Sequence, residues 1–182
     1  MTGSTYIDYD KAQTVGTKLI RSGDNPVFGL LIVTGTNLGL RISDLLNLTF
    51  NQLRQDVLTI KEGKTGKNRT MKVNINIHEA LKYFEDEKGE FYAFRSQKGS
   101  VYSTQQVNRL MKKYFKGSDI TSHSLRKTFG RMVWNVDNQS DRALMYLSEL
   151  FNHTSASITR RYLGIKQEEL NDIYDKIANH VK

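Results

Sequence analysis

Gly39-Leu40-Arg41-Ile42-Ser43-Asp44-Leu45-Leu46-Asn47-Leu48 opens on a glycine turn and continues with Ile42, Leu45, Leu46 and Leu48 at helical spacing. Arg41 is thereby placed at a helix start. Downstream, Val57-Leu58-Thr59-Ile60 and Thr70-Met71-Lys72-Val73-Asn74-Ile75 are β-rich runs flanking Gly63-Lys64-Thr65-Gly66-Lys67, which predicts a short antiparallel pair with Lys64 on its loop or edge. Upstream, Tyr9 to Ile20 reads as a helix. Asn25 caps a second helix that starts on Pro26, where a missing N–H costs nothing, and runs to about Thr34, with Gly35 to Leu40 as a turn.

From Ile77 onward the pattern is helical: His78 to Lys88, Ser103 to Phe115, Ser122 to Val136, Asp141 to Phe151, Ser155 to Leu163 and Gln167 to Val181. Ser103 and Ser140 fit as N-caps, and Gly117 follows a helix where a left-handed residue is often needed. The expected fold class is α+β, mainly helical, with a small antiparallel β-sheet on one side. No repeat, low-complexity tract or Pro/Ser-rich linker interrupts the chain, so a single domain over 1–182 is expected.

Twenty-seven Lys and Arg against nineteen Asp and Glu leave a formal charge of +8, which suits a polyanionic partner such as DNA, RNA or an anionic membrane. The absence of cysteine excludes disulfides, thiolate chemistry and Cys-based metal sites. The apolar stretch Val27 to Val33 is far shorter than the roughly 20 residues of a membrane-spanning helix, and the N-terminus lacks a secretory pattern. These features lead to the expectation of a cytoplasmic protein that does not enter membranes.

Taken singly, the reactive side chains read two ways. His123 and Arg126 lie one helical turn apart and can meet one anion, but a solvated surface pair has the same spacing. Asp44, three residues after Arg41, can hold the guanidinium by paired hydrogen bonds or form an ordinary helix salt bridge. Lys64 is a solvent-exposed turn residue or a mobile ammonium that swings into a site. His153 precedes the capping pair Thr154-Ser155, and Tyr162, one of nine tyrosines, lies between Arg161 and Leu163.

Their order decides between the readings. The segments Gly39 to Leu48, Lys64 in a β-turn, His123-Ser124-Leu125-Arg126-Lys127-Thr128-Phe129, His153 and Tyr162 together resemble the tyrosine recombinase (phage integrase) family, over about Thr34 to Gly164. The resemblance implies that family's catalytic fold and a site-specific recombinase that acts through a 3′-phosphotyrosyl intermediate. It also implies the usual setting of the family, mobile genetic elements and DNA integration. By the same resemblance, Arg41 and Arg126 grip the scissile phosphate, Lys64 protonates the leaving 5′ oxygen, His123 and His153 assist proton movement and phosphate binding, and Tyr162 attacks. Asn152 stands where the family usually has glycine, and asparagine tolerates the left-handed conformation. Set against the resemblance, the family's N-terminal DNA-clamping domain is expected to be absent from this chain.

The chemistry suits these groups. Two guanidiniums present donor forks to oxygens on which charge builds, and neither titrates near neutral pH. A phenol with a reference pKa of about 10 needs a base or nearby cations to attack, and a leaving alkoxide needs a proton donor such as Lys64. A phosphotyrosyl bond keeps the energy of the broken phosphodiester, so no nucleotide cofactor is expected; there is no Walker segment and no His-x-x-x-His. Neither cofactor nor metal is expected.

Lys67, Arg69, Arg131, Arg160 and Arg161, with Lys112, Lys113 and Lys116, are candidates to contact duplex DNA phosphates, and each is equally a solubilising surface charge. Leu170, Ile173, Ile177 and Val181 share a face of the last helix, which either covers its own core or, as the resemblance implies, docks on a neighbouring protomer on DNA. A type IB topoisomerase, a DNA-binding module without catalysis, and an RNA- or membrane-binding basic domain are the rival readings.

Overall fold

The computed structural model describes residues 3–117 and 119–180. Its elements run α1 (Tyr9–Ser22), α2 (Pro26–Leu38), α3 (Ile42–Leu46), α4 (Phe50–Leu53), β1 (Val57–Lys61), β2 (Asn68–Lys72), α5 (Ile75–Leu81), a 3₁₀ turn (Lys82–Phe84), α6 (Thr104–Tyr114), α7 (Ser122–Val136), α8 (Asp141–Phe151), α9 (Ala156–Leu163) and α10 (Ile165–His180). The contacts divide the chain into two compact units, Met1–Phe129 and Gly130–Lys182, with the boundary inside α7.

The first unit is built on α2. Asn25 caps it by accepting from the Phe28 N–H, Pro26 stands in its first turn, and Phe28, Leu30, Leu31 and Ile32 are fully buried. A helix apolar on all sides must lie inside, and α1, α3 and α5 pack around it. α2 extends to Leu38, four residues past the expected end, because burial of Gly35, Thr36 and Leu38 outweighs the turn signal of Gly35. The Thr36 hydroxyl donates back to the Ile32 carbonyl at 2.8 Å, which keeps a polar residue satisfied inside the helix.

The turn falls on Gly39 instead. Its φ of 59° is left-handed, and a Cβ there would lie 2.2 Å from the Phe129 ring, so only glycine serves both the backbone and the packing. Arg41 follows as the N-cap residue of α3. The expected helix to Leu48 breaks after Leu46, because Thr49 starts α4 with a capping box, its side chain bonded to Gln52 and Gln52 returning to the Thr49 N–H.

β1 and β2 pair antiparallel, with Val57 opposite Lys72 and Lys61 opposite Asn68, and residues 62–67 close the hairpin. The second strand lies earlier than expected: Val73 to Ile75 leave the ladder because the Asn74 side chain caps α5, accepting from the Ile77 N–H. An N-terminal strap fixes the start of α7. The Thr128 hydroxyl bonds both the N–H and the carbonyl of Ile7, the Lys127 ammonium donates to the Ser4 carbonyl, and the Thr5 N–H donates to the Asp119 carbonyl.

The second unit holds the C-terminal part of α7 with α8, α9 and α10; Trp134, Leu144, Leu147, Phe151, Leu163 and Ile165 are its large buried apolar side chains. Gly130 admits Leu163 and Phe151 at distances where a Cβ would meet Leu163 at 2.6 Å. Ser103 and Ser140 cap α6 and α8, as the sequence indicates. Gly117 has a positive φ of 143°, outside the left-handed helical well expected for it. Val181, the last residue of the expected apolar face, lies outside the described residues.

Candidate active site

Two clusters hold the candidate residues, one in each unit. In the first, the turn at Gly39 sets the geometry. Arg126, buried on α7, donates from Nη1 to the Gly39 carbonyl at 2.8 Å, so its guanidinium is held two residues from Arg41. Arg41 donates from Nη1 to Glu62 Oε2 at 2.7 Å. The carboxylate that meets Arg41 is therefore Glu62, not Asp44 as the i, i+3 spacing suggests.

Asp44 turns elsewhere. Its Oδ1 accepts the Gly63 N–H at 3.0 Å, and its Oδ2 is buried without a hydrogen-bond partner. The loop that carries Lys64 is thus tied from the α3 side at Gly63 and at Glu62, while the Lys64 side chain itself is exposed. Glu62 also closes the loop on itself. Its N–H donates to the Lys67 carbonyl, its carbonyl accepts the Gly66 N–H, and the Thr65 hydroxyl donates to Oε2 at 2.9 Å.

Burial works against charge on Glu62, but hydrogen bonds from Arg41 and Thr65 and the charges of Arg41 and Arg69 overcome it and hold the carboxyl below its ordinary pKa. Arg69 pairs with Glu62 Oε1 at 3.5 Å, an ion pair without hydrogen-bond geometry, and donates to the Leu38 carbonyl at 2.9 Å. Its guanidinium is turned inward, with 11% of the side chain exposed, between Glu62 and the Leu38 carbonyl. Burial lowers its pKa, with Glu62 opposing.

His123 opens the same helix that carries Arg126 and is exposed as a residue. Partial desolvation of the imidazole, with the positive charges of Lys127 and Arg126 adding to it, holds its pKa below the ordinary histidine value. A histidine so placed is neutral near pH 7 and available to accept a proton.

The second cluster lies where α8 turns into α9. Asn152 ends α8 in the left-handed conformation, φ 56° and ψ 46°, and the His153 N–H donates to the Ser148 carbonyl at 2.8 Å. The His153 ring stands edge-on to Tyr162 with centroids 5.2 Å apart, and Phe151 meets Tyr162 at 5.5 Å. His153 and Tyr162 are each partly buried.

A hydroxyl chain fixes the His153 tautomer. The Ser148 hydroxyl uses its one proton on the Leu144 carbonyl at 2.6 Å, so it accepts from Thr159 at 2.8 Å. The Thr159 proton is then committed, and Thr159 Oγ1 accepts from His153 Nδ1 at 2.9 Å. The proton on Nδ1 is thereby fixed toward Thr159, and in the neutral ring Nε2 is the nitrogen that carries no proton.

The remaining expected DNA contacts divide by placement. Lys67 and Arg161 are exposed. Arg160 pairs with Glu169 and lies 3.9 Å from Asp141, and Arg131 lies over the Trp134 ring at 5.2 Å. Leu170, Ile173, Tyr174 and Ile177 of α10 are exposed, so the apolar face of that helix does not cover a core of its own. Among the described residues no group of three or more His, Asp or Glu is placed to hold a metal ion, and no helix is long and apolar enough to cross a membrane.

Glu62, Thr159 and Ser148 escape the sequence reading. Glu62 precedes a glycine in a hairpin loop, where nothing local marks it as inward-facing; Thr159, six residues after His153, has no periodic signature as a histidine partner. Only the fold makes these contacts.

Known proteins resemble the chain throughout. Residues 14–169 match the phage integrase family. The probable integrase/recombinase YoeC of Bacillus subtilis is 31% identical over 91% of both chains, and tyrosine recombinase XerC of Caldanaerobacter subterraneus is 28% identical over 87% of this chain and 48% of its own length. The chain thus spans nearly all of one curated relative and about half of the other. Among solved structures, XerA recombinase superposes with a TM-score of 0.68 at 21% identity, covering 94% of this chain and 64% of that one. A lambda integrase dimer bound to a COC′ core site gives 0.64 at 18% identity, over 88% of this chain and 48% of that one. The fold is that of the tyrosine recombinase catalytic domain, and the chain belongs to the phage integrase family as a tyrosine-type DNA recombinase.

Proposed function

We propose that the chain, acting as one catalytic domain over 1–182, cuts and rejoins duplex DNA at a specific site through a 3′-phosphotyrosyl bond at Tyr162, without metal or nucleotide. The family resemblance assigns all six side chains to one phosphodiester. The Tyr162 hydroxyl oxygen attacks phosphorus and the bond to the 5′ oxygen breaks. The phenol proton passes to a histidine, His153 Nε2 or His123, and the leaving oxygen takes a proton from Lys64. Arg41 and Arg126 bind the nonbridging oxygens, where negative charge grows in the transition state. Rejoining reverses the steps with a 5′-hydroxyl from the partner strand.

The observation that carries this reading is the joining of Arg126 to the Gly39 carbonyl, two residues from Arg41. Residues 85 positions apart in sequence thereby meet at one turn, with the Lys64 loop tied to the same helix start, which supports reading Arg41 and Arg126 as partners on one phosphate. Lys67 and Arg161 contact flanking phosphates. The exposed face of α10 docks on a neighbouring protomer assembled on DNA, and the protein works in the cytoplasm on a mobile element's attachment sites.

The test is covalent capture. A tiled set of duplexes spanning the DNA that flanks the gene, each nicked near the candidate cleavage position, is incubated with the chain and denatured in detergent. Wild type is expected to give a protein–DNA adduct with one subset of duplexes, and Tyr162→Phe none. An equal adduct from Tyr162→Phe would falsify the nucleophile.

A further inference from the structure

We infer that Glu62 is a positioning residue that sets the Arg41 guanidinium and the Lys64 loop as one body. This rests on the roles given above to Arg41 and Lys64. A buried carboxylate is expensive unless charged hydrogen bonds compensate it, so its presence calls for a reason. Glu62 is 5% exposed and stands between two arginines, Arg41 at 2.7 Å and Arg69 at 3.5 Å. Its Oε2 takes both the Arg41 guanidinium and the Thr65 hydroxyl.

The backbone of the same residue closes the loop. The Glu62 N–H and carbonyl bond to Lys67 and Gly66, so residues 62–67 form a ring of hydrogen bonds around Lys64. One side chain therefore joins three things: the turn at Arg41, the loop around Lys64, and Arg69, which is anchored to the Leu38 carbonyl at the end of α2. A guanidinium on the phosphate and an ammonium at its leaving oxygen must keep their separation through the transfer. Glu62 supplies that separation as a fixed link. It reacts with nothing and touches no substrate.

The charge has a second effect. Without it, Arg41 and Arg69, whose like charges already act on each other, lose the carboxylate that stands between them. Glu62→Gln keeps the volume and one acceptor while removing the charge. Glu62→Asp keeps the charge and shortens the reach by one carbon.

Two measurements on the full chain test the inference. The first needs no DNA: with arginine labelled in its guanidinium nitrogens, the rotation rate about the Arg41 Cζ–Nε bond is read by NMR, Arg41→Lys supplying the assignment. Slow rotation is expected in wild type and fast rotation in Glu62→Gln, with Arg95, paired to Glu87, unchanged as the internal control. If Arg41 of the unmodified chain rotates as fast as the exposed Arg21, the inference is wrong whatever the variants do. The second measurement uses the nicked duplex that wild type captures. Misplacement of a reacting group by about 1 Å costs on the order of 10²-fold, so Glu62→Gln should slow adduct formation by about that factor at unchanged duplex affinity. Glu62→Asp should recover part of the rate. A folded Glu62→Gln protein cleaving at the wild-type rate overturns the inference, whereas failure of wild type to capture any duplex strikes the proposed function and leaves the rotation measurement to decide on Glu62.

Discussion

The His153 and Tyr162 rings meet edge to face with centroids 5.2 Å apart, and the imidazole is tied through Nδ1 to Thr159 at 2.9 Å. One nitrogen of the ring is thus committed to the scaffold, beside the tyrosine that the family resemblance makes the nucleophile.

Thr159→Val keeps the shape and deletes the hydroxyl that links Ser148 to His153. Leaving these buried groups without their partner should cost about 1 to 3 kcal/mol. The His153 ring should lose its single-tautomer state, visible as averaged Nδ1 and Nε2 nitrogen shifts in a histidine-labelled sample. Shifts still typical of Nδ1–H in the folded variant would remove Thr159 from the account.

Gly39→Ala adds a Cβ where the Phe129 ring stands 2.2 Å away and asks alanine to hold a φ of 59°. The conformational cost of about 1 to 2 kcal/mol and an overpacking cost of about 1 to 3 kcal/mol should combine, seen as a large fall in the denaturant midpoint. Because the Gly39 carbonyl also receives Arg126, catalysis should fall with it. A midpoint within error of wild type contradicts the close approach.

The pH dependence at His123 has a defined sign. Its pKa in the folded protein is depressed by desolvation and by Lys127 and Arg126. The unfolded chain, titrating near 6.5, therefore takes up a proton before the folded protein does. As pH falls through 6.5 toward the depressed value, stability should decline; above 6.5 this group contributes no slope. His123→Asn should flatten that part of the stability curve, and a His123 proton titration with a midpoint at or above 6.5 refutes the assignment.

Lys64→Ala removes an exposed side chain and should leave the melting temperature within error of wild type, while strand cleavage falls by about 10² to 10⁴, the usual worth of a general acid. A duplex with sulfur at the bridging 5′ position, whose thiolate leaves without a proton, should restore cleavage to Lys64→Ala and not to Arg126→Ala. Equal rescue of both variants makes Lys64 a phosphate ligand only.

Much of the fold was legible because its signals are local. Asn25 with Pro26, Ser103, Ser140 and Ser155 mark helix starts by their side-chain oxygens, and each caps a helix in the structure. Helix ends were less so. Gly35 carries the turn signal, yet α2 continues to Leu38 because its far end is buried, and the stop passes to Gly39 where Phe129 crowds the backbone. The second strand ends before its β-rich run does, because Asn74 caps α5 and takes Val73 to Ile75 out of the ladder.

The sequence by itself determined the helical class, the hairpin around Lys64, and the ordered set of Arg41, Lys64, His123, Arg126, His153 and Tyr162 that carries the family resemblance. Only the tertiary structure decided which carboxylate meets Arg41, that Arg69 faces inward, and which nitrogen of His153 is held. Periodicity and caps act within a few residues along the chain, so the sequence displays them. Hydrogen bonds such as Arg41 to Glu62 or Arg126 to Gly39 join residues 21 and 87 positions apart, and their partners are chosen by burial, where an unpaired charge is costly.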